Sequence, residues 1–182
     1  MRVRTVIGSA LVVVLAGCGA HAPETEMSAA TLSTVDVVTK GIYELNDQRF
    51  DEALGHLTEG FSLPPERAKF AHFNVGLIHY RRGDWVEAEQ QYRAALAIDP
   101  NLYEAVLNLG VLLREQQRLP EATEMFKRIP DSAGELRVTS LNKLADIERL
   151  LGNQAAADEY AQQSAVLSAA LSAAAATTTS QQ

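Results

Sequence analysis

The sequence NVGLIHYRRGDWVEAEQQYRAALAIDP, residues 74–100, holds two helix-length segments separated by the turn Gly83-Asp84. Gly83 can adopt the left-handed conformation that ends many helices. Asp84 can accept hydrogen bonds from the exposed backbone N–H groups at the start of the next helix. Pro100 lacks a backbone N–H and ends the second segment. The stretch therefore predicts a pair of helices joined by a tight turn.

Small residues recur at fixed positions in three copies of this pattern. Glycine stands at 41, 76 and 110, so the copies are spaced by 35 and 34 residues. An alanine follows each glycine after twelve residues, then comes a large apolar residue four further on and a small or apolar residue after three more. These residues are Ala53, Leu57 and Gly60; Ala88, Tyr92 and Ala95; and Ala122, Phe126 and Ile129. Because small side chains let crossing helices approach closely, each copy predicts one tightly packed helix pair.

This pattern closely resembles the tetratricopeptide repeat, in which each unit consists of two antiparallel helices. The resemblance implies an all-α solenoid with about three clear repeats and a degenerate fourth. In the fourth copy, Gly152 and Ala157 hold the turn position and the small-residue position. The expected repeats are residues 34–68, 69–102, 103–137 and 138–168, and together they form one expected domain, 34–168.

Proline positions refine these boundaries. Pro64 and Pro65 are expected to end the first repeat, and Pro130 should shorten the second helix of the third repeat. Pro120 falls in the first turn of that helix, where proline is tolerated. The segment 169–182 lacks an apolar period, so we expect it to form a flexible tail.

The start of the chain, MRVRTVIGSALVVVLAGC, has the layout of a bacterial export signal. Two arginines precede an apolar run that is short for a membrane-spanning helix, and small residues follow. The residues LAGC at 15–18 resemble the lipobox of bacterial lipoproteins. The resemblance implies a lipoprotein signal peptide at 1–17, an acylated Cys18 and a linker over 18–33. The alternatives are a plain signal peptide and an uncleaved anchor with an incidental cysteine.

Composition restricts the function classes. The formal net charge is -7, which argues against nucleic-acid binding because that binding depends on Lys and Arg neutralising phosphates. One cysteine excludes internal disulfides and a cysteine-based metal cluster. The four histidines, His21, His56, His72 and His79, lack metal-binding spacing, and the sequence lacks a phosphate-binding glycine loop and a convincing catalytic motif. We therefore expect neither an enzyme nor a protein with a cofactor or metal.

The resemblance also implies where a partner would bind, because the first helix of each tetratricopeptide unit lines a concave surface. The expected groove residues, from the second and third repeats, are Phe70, Phe73, Leu77, Tyr80, Leu107, Val111 and Arg114. Some chaperone-binding members clamp a terminal carboxylate, but of their clamp residues only Asn74 has a match here. We therefore expect a protein or peptide partner with apolar anchors. The alternatives are that Phe70 and Tyr80 only cover the core, or that segment 19–33 folds over them.

These features together favour a lipid-anchored scaffold that faces the periplasm and binds proteins in envelope assembly. The architecture is similar to that of pilus-assembly and secretion pilotins, so pilus or secretion machinery is the expected setting. Gly19, after the cysteine, favours the outer membrane over the inner membrane. One alternative is an adaptor for cell-wall enzymes or outer-membrane assembly. An alternative from another class is a carrier of an apolar small molecule or lipid, and the sequence leaves the oligomeric state open.

Overall fold

The computed structural model describes residues 36–179, which form α-helices joined by short turns. The helices are α1 (Val37–Asn46), α2 (Phe50–Glu59), α3 (Pro65–Arg82), α4 (Trp85–Ile98), α5 (Tyr103–Glu115), α6 (Leu119–Lys127), α7 (Glu135–Leu150) and α8 (Gln154–Thr179). Single 3₁₀ turns lie at Gly60–Ser62 and Asp131–Ala133. The all-α fold class is thereby confirmed. Residues 1–35, with the expected signal peptide and Cys18, lie outside the described residues.

Consecutive helices pack as four hairpins. The paired helices are α1 with α2, α3 with α4, α5 with α6, and α7 with α8. The second helix of each hairpin contacts the first helix of the next, and the first helices of neighbouring hairpins also touch. This nearest-neighbour stacking is the arrangement of a repeat solenoid.

The core consists of two hydrophobic clusters. The first joins hairpins one and two and contains Val38, Leu45, Ala53, Leu57, Ala71, Val75, Leu77 and Ile78. The second extends across hairpins two to four, with Tyr92, Leu109, Leu112, Phe126 and Leu144 among its members. Phe70 packs against both clusters, so the hydrophobic interior is nearly continuous along the stack.

The helices of each hairpin cross at the glycines that the sequence singled out. A Cβ atom on Gly76 would lie 2.8 Å from Cδ1 of Tyr92, and one on Gly110 would lie 2.7 Å from Cε1 of Phe126. Ala88, which faces Gly76 across the crossing, is fully buried. The predicted reason for the small residues, close approach of the two helices, is confirmed.

The turns within the hairpins follow the prediction in their backbone and depart from it in their capping. Gly83 has φ +83°, in the left-handed region. Gln48 and Gln117 hold the same place in hairpins one and three, with φ 61° and 62°. The prediction that Asp84 caps α4 is wrong, because its side chain makes no capping hydrogen bond. Its carboxylate lies 3.3 Å from Nδ1 of His79 instead.

The prolines act at helix starts as well as helix ends. Pro64 and Pro65 begin α3 rather than closing the first repeat, since α2 ends at Glu59 and Pro65 is the first residue of α3. Pro120 lies in the first turn of α6, as predicted. That helix ends at Lys127, ahead of Pro130, so the predicted shortening is also confirmed.

The last helix does not stop at the expected end of the domain. Helix α8 continues without a break from Gln154 to Thr179 and so enters the segment 169–182. Residues 169–176 are mostly alanine, which has the highest intrinsic helix propensity. Intrinsic propensity therefore extends this helix past the last buried contacts of the stack.

Candidate interaction surfaces

The seven predicted groove residues lie on two neighbouring helices. Phe70, Phe73, Leu77 and Tyr80 are on α3, and Leu107, Val111 and Arg114 are on α5. These are the first helices of hairpins two and three, and they contact each other. The structure therefore brings the seven residues to adjacent elements, as the repeat pattern implied.

Burial divides this set. Phe73, Leu77, Leu107 and Val111 are 5%, 1%, 3% and 8% exposed. Leu77 belongs to the first core cluster, and the other three belong to the second. Burying a side chain of this kind stabilises a fold by roughly 1.5–3 kcal/mol. Their positions in the core account for their apolar character, and a direct contact with a partner stays a prediction.

The other three predicted residues are only partly buried, and two of them are held by polar contacts. The Tyr80 hydroxyl donates a hydrogen bond of 2.7 Å to Oε1 of Glu115. Burial raises the pKa of Tyr80 well above its ordinary value, and the neighbouring Glu115 carboxylate adds to the increase. A guanidinium nitrogen of Arg114 lies 3.9 Å from a carboxylate oxygen of Asp146. Phe70 packs on the core with part of its ring exposed.

Two buried amides lie on α3 and α5, and a buried phenol lies on α4. Nδ2 of Asn74 donates to the carbonyl of Phe70 at 2.7 Å, so the one residue that matched a carboxylate clamp is occupied within its own helix. The Tyr92 hydroxyl and Nδ2 of Asn108 are both buried and lie close to each other, but neither makes a hydrogen bond of normal geometry among the described residues. Burial raises the pKa of Tyr92 strongly, so its hydroxyl stays protonated.

Ion pairs connect neighbouring hairpins on the α4 and α6 side. Arg118 donates to Glu89 and to Glu121, each at 2.6 Å, and Arg93 donates to Glu89 at 2.8 Å. Burial alone would raise the pKa of Glu89, but the hydrogen bonds from Arg118 and Arg93 outweigh it and lower that pKa. These four residues satisfy one another, which favours a structural role for them.

A second surface, of whose lining residues the sequence predicted only Arg114, lies at the edge formed by the turns within the hairpins. A groove of about 410 Å³ is lined by Trp85, Arg114, Glu115, Gln117 and Leu150. Trp85 begins α4, Gln117 is in the turn after α5 and Leu150 ends α7, so three hairpins contribute. We call it the turn-edge groove. A tryptophan directly after Gly83-Asp84 was the available signal, and its exposure could not be read from the repeat pattern.

Residues 36–179 offer neither a metal cluster nor a membrane span. Among them, no three His, Cys, Asp or Glu side chains are grouped so that they could hold a metal ion. None of the helices there combines the length and apolar character that crossing a membrane requires.

The fold and these surfaces define a class: helical-repeat proteins that work by holding other proteins. Family models for the tetratricopeptide repeat match residues 38–103 and 79–143, which together span more than half of the chain. The chain belongs to the tetratricopeptide-repeat family.

Curated relatives share part of the solenoid. The Photosystem I assembly protein Ycf3 of Acaryochloris marina (strain MBIC 11017) is 34% identical over 82 residues, which cover 43% of this chain and 49% of Ycf3. Tetratricopeptide repeat protein 8 of Caenorhabditis elegans is 32% identical over 80 residues, which cover 43% of this chain and 16% of that protein. The chain therefore matches half or less of the length of these relatives.

Solved structures share the fold across most of the chain. MamA superposes with a TM-score of 0.67 at 13% identity, covering 75% of this chain and 78% of MamA. Pseudomonas aeruginosa pilF superposes with a TM-score of 0.62 at 20% identity, covering 74% of this chain and 61% of pilF. At these identities the likeness concerns the fold.

Proposed function

We propose that this chain is a lipoprotein scaffold, attached through Cys18 to a bacterial membrane and facing the periplasm, that binds proteins in envelope assembly. The observation that carries the proposal is a repeat solenoid preceded by a lipobox-like LAGC sequence at 15–18. A scaffold without catalytic groups acts through its location and its partners. Two or more acyl chains on Cys18 would give lasting attachment, whereas a single chain gives only marginal binding.

Pilus or secretion machinery is the setting that we propose, with the outer membrane as the site of attachment. The first part is supported by the architecture of the chain, a lipobox-like sequence followed by tetratricopeptide units, which is similar to that of pilus-assembly and secretion pilotins, and by the fold shared with pilF. The relative Ycf3 also has an assembly role, by its name. A carrier of apolar small molecules would need an open cleft around Phe73, and that side chain is 5% exposed, which favours the scaffold.

The attachment is tested by a Cys18→Ser variant. Cells that produce the wild-type chain should incorporate a labelled fatty acid into it and retain it with the membrane fraction. The variant should lose both the label and the membrane retention. Ser28→Ala, in the expected linker, is the matched control and should behave like the wild type. Unchanged membrane retention and unchanged gel mobility of the Cys18 variant would show that the cysteine is not the anchor.

The setting is tested by crosslinking in cells from a photoreactive residue at position 70. Phe70 is preferable to Phe73 or Leu77, because a probe at either of those positions would sit inside the core. We expect adducts with a secretin or a pilus component. Adducts with cell-wall enzymes or with outer-membrane assembly proteins would replace this setting with the adaptor alternative.

A further inference from the structure

Exposed large apolar side chains are concentrated at one edge of the solenoid. Within residues 36–176 they are Trp85, Val86, Ile98, Leu150, Leu151 and Val166. Four of these six lie beside the turns within hairpins two and four, because Trp85 and Val86 begin α4 while Leu150 and Leu151 follow one another at the end of α7. Exposed apolar patches with a polar rim mark sites of interaction on soluble domains.

One residue of each pair, Trp85 and Leu150, lines the turn-edge groove. Trp85 is 42% exposed and Leu150 is 67% exposed, and both line the same recess of about 410 Å³. An open recess lined by two apolar side chains can take up an apolar side chain of a partner. Tryptophan is among the residues that contribute most to binding when they become buried in an interface.

Arg114, another lining residue of the groove, carries a guanidinium group with donors that no described residue uses. Arg114 has five N–H donors, and within residues 36–179 its one ion-pair partner is Asp146, at 3.9 Å and so beyond hydrogen-bond distance. Asp146 is engaged at 2.9 Å by Arg149, so two arginines share one carboxylate. The acidic lining residue, Glu115, accepts the hydrogen bond of Tyr80. The groove therefore has spare capacity to bind an acceptor that carries negative charge.

Two other occupants fit these features less well. An anionic membrane surface would meet Asp84 and Glu87 next to Trp85, and Asp146 and Glu148 next to Leu150. A second copy of the chain in a symmetric contact would bring the same edge, and with it the same Arg114 guanidinium, against the groove. A single carboxylate on a segment of a different protein can reach Arg114 without lying against all four of these acidic side chains, as an extended anionic surface would.

We propose that the turn-edge groove binds a segment of a partner protein in which a large apolar side chain lies close to an aspartate or glutamate. The apolar side chain inserts between Trp85 and Leu150, and the carboxylate accepts hydrogen bonds from Arg114. The inference rests on the proposed scaffold role and adds to it a second binding place, away from the buried centre of α3 and α5, and the chemistry of the bound segment.

The test uses the single tryptophan of the chain as the reporter. The full 182-residue sequence is produced with Cys18→Ser, and phage-displayed random 12-residue peptides are selected on it. Enriched sequences are synthesised with blocked ends and titrated while Trp85 emission is recorded. We expect Leu, Ile or Phe within four residues of Asp or Glu, and a blue shift of Trp85 emission on binding. Leu150→Ser and Arg114→Gln should each weaken binding about tenfold.

Val166, on α8, provides the control. Val166→Ser removes an equally exposed apolar side chain outside the groove and should leave the affinity unchanged. The proposal fails if enriched peptides lack an acidic residue, if none is enriched, or if the Leu150 and Arg114 variants bind them as the wild type does. It also fails if Trp85 emission shifts with vesicles of phosphatidylethanolamine and phosphatidylglycerol, or with protein concentration alone, because a membrane or a second copy would then occupy the groove. Loss of lipid anchoring does not affect these measurements, so the two proposals can fail separately.

Discussion

Adding one methyl group at either of two glycines should change stability in opposite directions. In Gly76→Ala the new Cβ would lie 2.8 Å from Cδ1 of Tyr92 and 3.3 Å from the carbonyl oxygen of Ala88. Tyr92 is fully buried, so its ring has little room to move away. In Gly55→Ala the new Cβ would meet no atom within 4 Å, since Gly55 is on the exposed side of α2.

The magnitude follows from two competing effects. Replacing glycine by alanine inside a helix stabilises it by about 1 kcal/mol. Overpacking a core by one methyl group costs about 1–3 kcal/mol. Gly55→Ala has only the first effect and should stabilise the fold by about 1 kcal/mol. Gly76→Ala has both, so its net effect should be a destabilisation of about 1 kcal/mol, and the two variants should differ by about 2 kcal/mol.

Urea unfolding followed by far-ultraviolet circular dichroism measures this difference. Both variants are expected to keep the helical content of the wild type, with the midpoint raised for Gly55→Ala and lowered for Gly76→Ala. If Gly76→Ala were as stabilising as Gly55→Ala, the close crossing of α3 and α4 at Tyr92 would be refuted. Gly110→Ala, whose Cβ would lie 2.7 Å from Cε1 of Phe126, repeats the test in the next hairpin.

Three further expectations concern polar groups. Burial alone would raise the pKa of Asp36, but its hydrogen bonds to Arg67 and at the start of α1 lower that pKa to about 2. The stability that the Asp36 carboxylate contributes to the fold should therefore be present above about pH 4 and lost as the pH falls towards 2. Asp36 is a half-exposed cap, so we expect Asp36→Ala to lower the free energy of unfolding by about 1 kcal/mol at pH 7 and by less at pH 3. Asp36→Asn keeps a capping side chain and should cost less stability than Asp36→Ala at pH 7. Urea midpoints measure both differences. Tyr92→Phe removes a buried hydroxyl that makes no hydrogen bond of normal geometry within residues 36–179, so it should raise the midpoint of thermal unfolding. A fall of several degrees would show that the hydroxyl does make a stabilising hydrogen bond. The buried Glu44 carboxylate lies 2.6 Å from Nδ1 of His56, so His56→Ala should lower the free energy of unfolding by about 2 kcal/mol. Replacing both Glu44 and His56 by leucine should recover much of that loss. A loss below about 0.5 kcal/mol for His56→Ala in urea unfolding would contradict this.

Local pattern alone determined most of the fold. The glycine at 41, 76 and 110 and the alanine twelve residues later identify the helix crossings, because only small side chains fit where two helices touch. Gly83 identified a left-handed turn for the same local reason. Each of these requirements is met within one hairpin, so it appears in the sequence as a particular residue type at a fixed spacing.

The surfaces were decided by tertiary structure. The sequence placed Phe73, Leu77, Leu107 and Val111 on one side of their helices, but stacking of neighbouring hairpins buries them in the core. The turn-edge groove needs Trp85, Gln117 and Leu150, which come from three hairpins. Whether an apolar side chain is covered or left open depends on how far each hairpin rotates against the next. That rotation is set by contacts between residues far apart in the chain, and no spacing within one repeat encodes it.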